Sequence, residues 1–66
     1  MNTYLVVFYY DEYTDEEDSS FKTLFSAKNI EEVVLWVTEQ FQTTHADYAD
    51  IFTKEFNGDF VTRLYN

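Results

Sequence analysis

The sequence has no cysteine, no proline, one glycine, one histidine and only four lysine or arginine residues among 66. Without cysteine, neither disulfides nor thiolate metal sites can staple so small a fold. The same absence fits a reducing cytoplasm, which is the compartment we expect. Four bases are too few for the phosphate contacts that direct nucleic-acid binding requires, and too few to hold an anionic membrane. Long hydrophobic runs are missing as well. The apolar opening, residues 5–10, is far too short to span a bilayer, and it lacks the basic flank and small-residue cleavage site of a signal peptide.

Acid and aromatic residues are abundant. Thirteen Asp and Glu give a formal net charge of −9, and seven Phe, six Tyr and one Trp supply apolar packing surface. That aromatic content excludes intrinsic disorder despite the acidity. A chain of 66 residues makes one domain, residues 1–66, which buries only about 60% of the surface of its unfolded chain. Composition narrows the partner to something basic, or to nothing.

Residues 3–10 (TYLVVFYY) are β-branched and aromatic throughout and read as a strand. Both of its alternating sets are apolar, as in a strand that is central in its sheet or whose second face meets something else. Residues 11–18 (DEYTDEED) hold six carboxylates in eight positions and read as a solvated loop or frayed strand end. Residues 20–26 (SFKTLFS) alternate again and form the second strand of a wide hairpin, with Phe21, Thr23 and Phe25 opposite Lys22 and Leu24.

A helix is expected from about residue 30 to about residue 43. Asn29 caps it by accepting from the Glu32 amide, with the Glu32 side chain reaching back. Ile30, Val33, Val34, Val37 and Phe41 fall within one arc of about 100°, and Glu31 and Glu32 occupy the first turn, where the helix dipole favours negative charge.

The last third admits two readings. Asn57-Gly58 supplies the positive φ of a hairpin turn, pairing strands at 51–56 and 60–65 and placing Phe52, Phe56, Phe60 and Leu64 on one face. Alternatively, a second helix near 45–56 ends at Gly58, giving ββααβ. The hairpin is preferred. The expected fold is therefore α+β, a ββαββ two-layer arrangement with an antiparallel-rich sheet and one helix on one face. One helix cannot cover both faces of four strands, so the other face meets water, a second copy in a homodimer, or a partner.

Catalysis is not expected. Ser19, Ser20 and Ser26 have no nucleophile context, and His45 follows the helix C-terminus, where a cation suits the dipole. General acid–base work needs a partly buried carboxylate with a raised pKa, which a loop crowded with acids does not suggest. No metal site or cofactor is expected either. Counted from Asp11, a calcium loop would need oxygen ligands at positions 1, 3 and 5 and glycine at 6, but Tyr13 and Glu16 stand at positions 3 and 6.

Solubility alone explains acidic runs in most chains. Here the acids are spread along the chain, from the loop through Glu31, Glu32 and Glu39 to Asp47, Asp50, Glu55 and Asp59. With few bases to neutralise them, a field of one sign covers much of a small body. Leu35 and Trp36 lie outside the helix's core arc, beside Glu32 and Glu39. An exposed Trp among carboxylates has the composition of a protein-binding hot spot with an acidic rim; otherwise a loop or the tail folds over it. The candidate partner-binding set is Asp11, Glu12, Asp15, Glu16, Glu17, Asp18, Glu32, Leu35, Trp36 and Glu39. Alternate strand residues are about 6.6 Å apart, two nucleotide rises of about 3.4 Å. Carboxylates on strands, loops and a helix can therefore approximate a row of phosphates.

In size, acidity, aromatic content and plan, the chain resembles the small acidic inhibitors encoded by bacteriophages, the DNA mimics and anti-CRISPR proteins among them. The resemblance covers the whole chain but carries no diagnostic motif, so it transfers no functional residue. It implies a host-directed inhibitor acting in the host cytoplasm on the nucleic-acid-binding surface of a basic host protein. Phage inhibitors of host RNA polymerase are similar in plan, and the closing DFVTRLYN resembles their terminal strand. The alternative is an interaction or regulatory module that binds, or self-associates, through its aromatic sheet face.

Overall fold

The computed structural model describes residues 1–10, 20–53 and 58–66. In chain order it contains β1 (Asn2–Tyr9), β2 (Ser20–Ala27), α1 (Ile30–Thr44), β3 (Tyr48–Thr53) and β4 (Phe60–Tyr65). The strands form one sheet in the order β2-β1-β3-β4, and every neighbouring pair is antiparallel. The fold is α+β with the ββαββ plan. Strand β3 occupies the segment that the rival reading made a second helix. It begins at Tyr48, earlier than the expected 51, because Tyr9↔Tyr48 and Phe8↔Ala49 pairings extend it along β1.

Helix α1 starts as its sequence dictates. Asn29 Oδ1 accepts from the Glu32 amide at 3.1 Å. The Glu32 carboxylate accepts from the Lys28 amide at 2.9 Å, one residue earlier than a strict capping box requires. At the far end His45 takes the left-handed conformation, φ 60°, and its amide donates to the Phe41 carbonyl. The Tyr10 hydroxyl donates to the Thr44 carbonyl at 2.9 Å, satisfying one of the helix's orphan acceptors.

The helix buries Val33, Val37 and Phe41 against Tyr4, Val6 and Phe8 of β1 and Ala49 and Ile51 of β3. Ala27, Ala46 and Ala49 keep this layer thin. Phe8, Ile51, Val6, Val33 and Val37 are fully enclosed, each stabilising the fold by about 1.5–3 kcal/mol relative to exposure. With no disulfide, this one-sided core is the main source of stability.

Among the described residues no helix covers the opposite sheet face. Its ladders align side chains in three rows across β2, β1, β3 and β4. Leu24, Leu5, Phe52 and Phe60 form an apolar row; Lys22, Val7, Asp50 and Arg63 form a central row; Ser20, Tyr9, Tyr48 and Tyr65 form a row rich in tyrosine. One expectation fails here. Phe52 and Phe60 do share a face, their rings 5.7 Å apart, but Leu64 pairs with Ala49 and packs against the core. The register shifts between Ile51 and Phe52: Ile51 pairs with Thr62 and Phe52 with Phe60. The extra residue of this bulge, Val61, reverses the alternation along β4. Phe56 lies outside the described residues. Across the hairpin the Thr53 amide donates to the Asp59 carbonyl at 2.9 Å, and Gly58 has φ 51°.

Candidate protein-interaction surfaces

The outer surface of α1 is one candidate. The helix contains no Lys or Arg. Glu31, Glu32, Leu35, Thr38, Glu39 and Gln42 are exposed along it. Leu35 is 68% exposed, with Glu31 one turn before it and Glu39 one turn after. Leu35 thus places an apolar side chain between Glu31 and Glu39 on the helix's solvent face.

Trp36 does not belong to that ridge. It is half-buried, its ring stacked on Phe25 of β2 at 4.4 Å and 15° and edge-on to Phe8 at 6.3 Å. At about 100° per residue it sits roughly 60° round from Val33, close enough for a large ring to reach the sheet's edge. A strand, rather than a loop or the tail, lies under it. A wide aromatic side chain broadens the apolar arc beyond what aliphatic spacing indicates.

Asp11, Glu12, Asp15, Glu16, Glu17 and Asp18 lie outside the described residues, as does Glu55. The structure thus brings together Glu32, Leu35 and Glu39 from the expected set and adds Glu31, whose exposure follows from its spacing. It removes the strands from any phosphate-like row. Asp50 is the single carboxylate in the four strands. It is 5% exposed and held by Arg63, with Nε to Oδ1 at 2.6 Å and Nη2 to Oδ2 at 3.0 Å.

The second candidate is the open sheet face, whose centre that pair occupies. Asp50 raises the Arg63 guanidinium above its usual pKa, mainly by hydrogen bonding, with the Tyr65 hydroxyl adding to the effect. The guanidinium lies 4.4 Å from the Tyr48 ring centre, a cation–π distance. Tyr9 and Tyr48 stack at 4.9 Å. Sequence reasoning missed this pair because β3 and β4 had to be registered before Asp50 and Arg63 could be seen as neighbours.

Among the described residues no three His, Cys, Asp or Glu side chains gather as a metal site, and no helix is long and apolar enough to cross a membrane. The sheet and its helix define a small two-layer α+β protein; among the described residues the helix carries Glu31, Glu32 and Glu39, and the strands carry Lys22, Asp50 and Arg63. The chain matches no family model, no curated protein and no solved structure.

Proposed function

We propose that this protein is a non-enzymatic inhibitor that binds a basic, nucleic-acid-binding host protein in the cytoplasm and occupies the surface meant for phosphates. The observation that carries this reading is the base-free outer surface of α1, with Glu31, Glu32 and Glu39 around the exposed Leu35. Glu31 and Glu39 are separated by about 12 Å of helix rise, three to four nucleotide rises of about 3.4 Å. The carboxylates compete for the cationic surface, and Leu35 adds apolar contact that nucleic acid cannot supply. The acidic run at 11–18 supplies six of the thirteen carboxylates behind the net charge of −9. An anti-CRISPR protein is the particular inhibitor class that the size and charge suggest.

The test is a pull-down from bacterial lysate at low and high salt, with the captured proteins identified and assayed for nucleic-acid binding. A basic protein released by salt is the expected catch, and its nucleic-acid binding should fall when this protein is added. Glu31→Gln with Glu39→Gln, and separately amides at Asp15, Glu16, Glu17 and Asp18, should weaken capture and flatten its salt dependence. Capture that ignores both sets of changes would overturn the mimicry.

A further inference from the structure

Strand β4 pairs with β3 in two registers along its length. Near the hairpin, Phe52 faces Phe60 and the Thr53 amide donates to the Asp59 carbonyl. Beyond Val61 the partners move by one residue: Ile51 faces Thr62, Asp50 faces Arg63, Ala49 faces Leu64 and Tyr48 faces Tyr65. Continued without a bulge, the first register would instead pair Val61 with Ile51, Thr62 with Asp50, Arg63 with Ala49 and Leu64 with Tyr48. A bulge leaves one residue unpaired and interrupts the ladder, so an interaction beyond it must favour the shift.

Hydrophobic burial does not decide between the two. The shifted register turns Thr62 and Leu64 toward the helix side of the sheet and leaves Val61 38% exposed. The continuous one would turn Val61, Arg63 and Tyr65 that way. Leucine exceeds valine by a single methylene, so exchanging Leu64 for Val61 changes little. Charge decides. In the continuous register Arg63 would face the fully enclosed Ala49, and Asp50 would be left without its cation, a heavy loss for a buried carboxylate. In the shifted register the guanidinium takes both Asp50 oxygens, at 2.6 and 3.0 Å, and lies over the Tyr48 ring.

We propose that the Asp50–Arg63 pair is the register lock of β4. It holds the strand one residue out of step with its own hairpin, and removing it lets the strand slide back. Fixing register is the best-attested use of a buried polar pair. Sliding by one residue reverses the face of every side chain after Val61. Arg63 and Tyr65 leave the open sheet face, and Thr62 and Leu64 replace them. One ion pair therefore sets which side chains that face displays. The inference goes beyond the proposed inhibition, which rests on α1.

Nuclear magnetic resonance on the full chain reads the register directly. The Asn66 amide donates to the Asp47 carbonyl. Counting by twos from that bond, Asp50/Arg63 and Tyr48/Tyr65 are the non-hydrogen-bonded pairs, whose Hα atoms lie close. The native chain should give Hα–Hα cross-peaks between 50 and 63 and between 48 and 65. Asp50→Thr with Arg63→Thr removes the lock without favouring either face. Cross-peaks between 50 and 62 and between 48 and 64 should then become the major set. If that variant does not fold, Asp50→Asn with Arg63→Gln is read in the same way. Deletion of Val61 makes the shifted pairing continuous, so the threonine changes in that background should leave the native pairs in place. A folded double variant that keeps only the native pairs would overturn the proposal. So would loss of the native pairs when Val61 is deleted as well.

Discussion

Arg63 grips Asp50 from the neighbouring strand with a two-pronged contact, Nε to Oδ1 and Nη2 to Oδ2, while its guanidinium lies over the Tyr48 ring. The pair sets a polar landmark in the middle of a sheet face that is otherwise apolar and aromatic apart from Lys22 and Ser20 on β2. The carboxylate is nearly enclosed and the guanidinium is not. The two partners are therefore unequal when one is removed.

Arg63→Met should destabilise the domain more than Asp50→Asn. The first leaves a buried carboxylate without its cation; the second leaves an arginine that solvent can reach. A double change, Asp50→Leu with Arg63→Met, should recover much of the loss by removing the unpaired charge. Thermal melts of the three variants check the order, and a double variant no better than Arg63→Met would contradict it.

Trp36→Ala should cost about 2 kcal/mol of folding stability, below the 3–5 kcal/mol of a fully buried tryptophan because the ring is half-buried. It removes the Phe25 stack and frees the helix from the edge strand β2. Leu35→Ala should change stability by under about 0.5 kcal/mol. Urea titrations of the two variants distinguish a side chain that packs from one that is displayed.

His45→Gly should stabilise the fold by up to about 1 kcal/mol. His45 holds φ 60° at the helix end, where a Cβ is a steric liability and glycine is the usual occupant. Glycine's larger entropy loss offsets part of the gain. Chemical denaturation near neutral pH measures the difference, and a loss of stability would mean that the imidazole contributes there.

Much of the architecture was legible along the chain because it depends on local physics. The Asn29 cap, the glutamates of the first turn and the aliphatic spacing define α1 without reference to the sheet. Alternation defines the two faces of β2, and the span 60–65 of β4 is bounded by the turn at Gly58. The start of β3 was not legible, since the residues around Tyr48 become a strand by pairing with Tyr9. Of the candidate site, Leu35 and Glu39 stand where helical periodicity places them, opposite the core arc.

By itself the sequence determined that this is a small, disulfide-free, strongly acidic domain in which two strands precede a base-free helix, because composition, capping and periodicity act over a few residues; that the last third is a hairpin and not a second helix was left to the tertiary structure. Only the tertiary structure decided which residues neighbour one another across strands. A single extra residue in β4 turns Leu64 toward the core and leaves Phe60 beside Phe52, because a side-chain period of two makes a one-residue shift reverse the face. The same registration brings Arg63 to Asp50, and the packing of the helix on the sheet puts Trp36 over Phe25. These relationships arise from contacts between residues far apart in the chain, which no local pattern encodes.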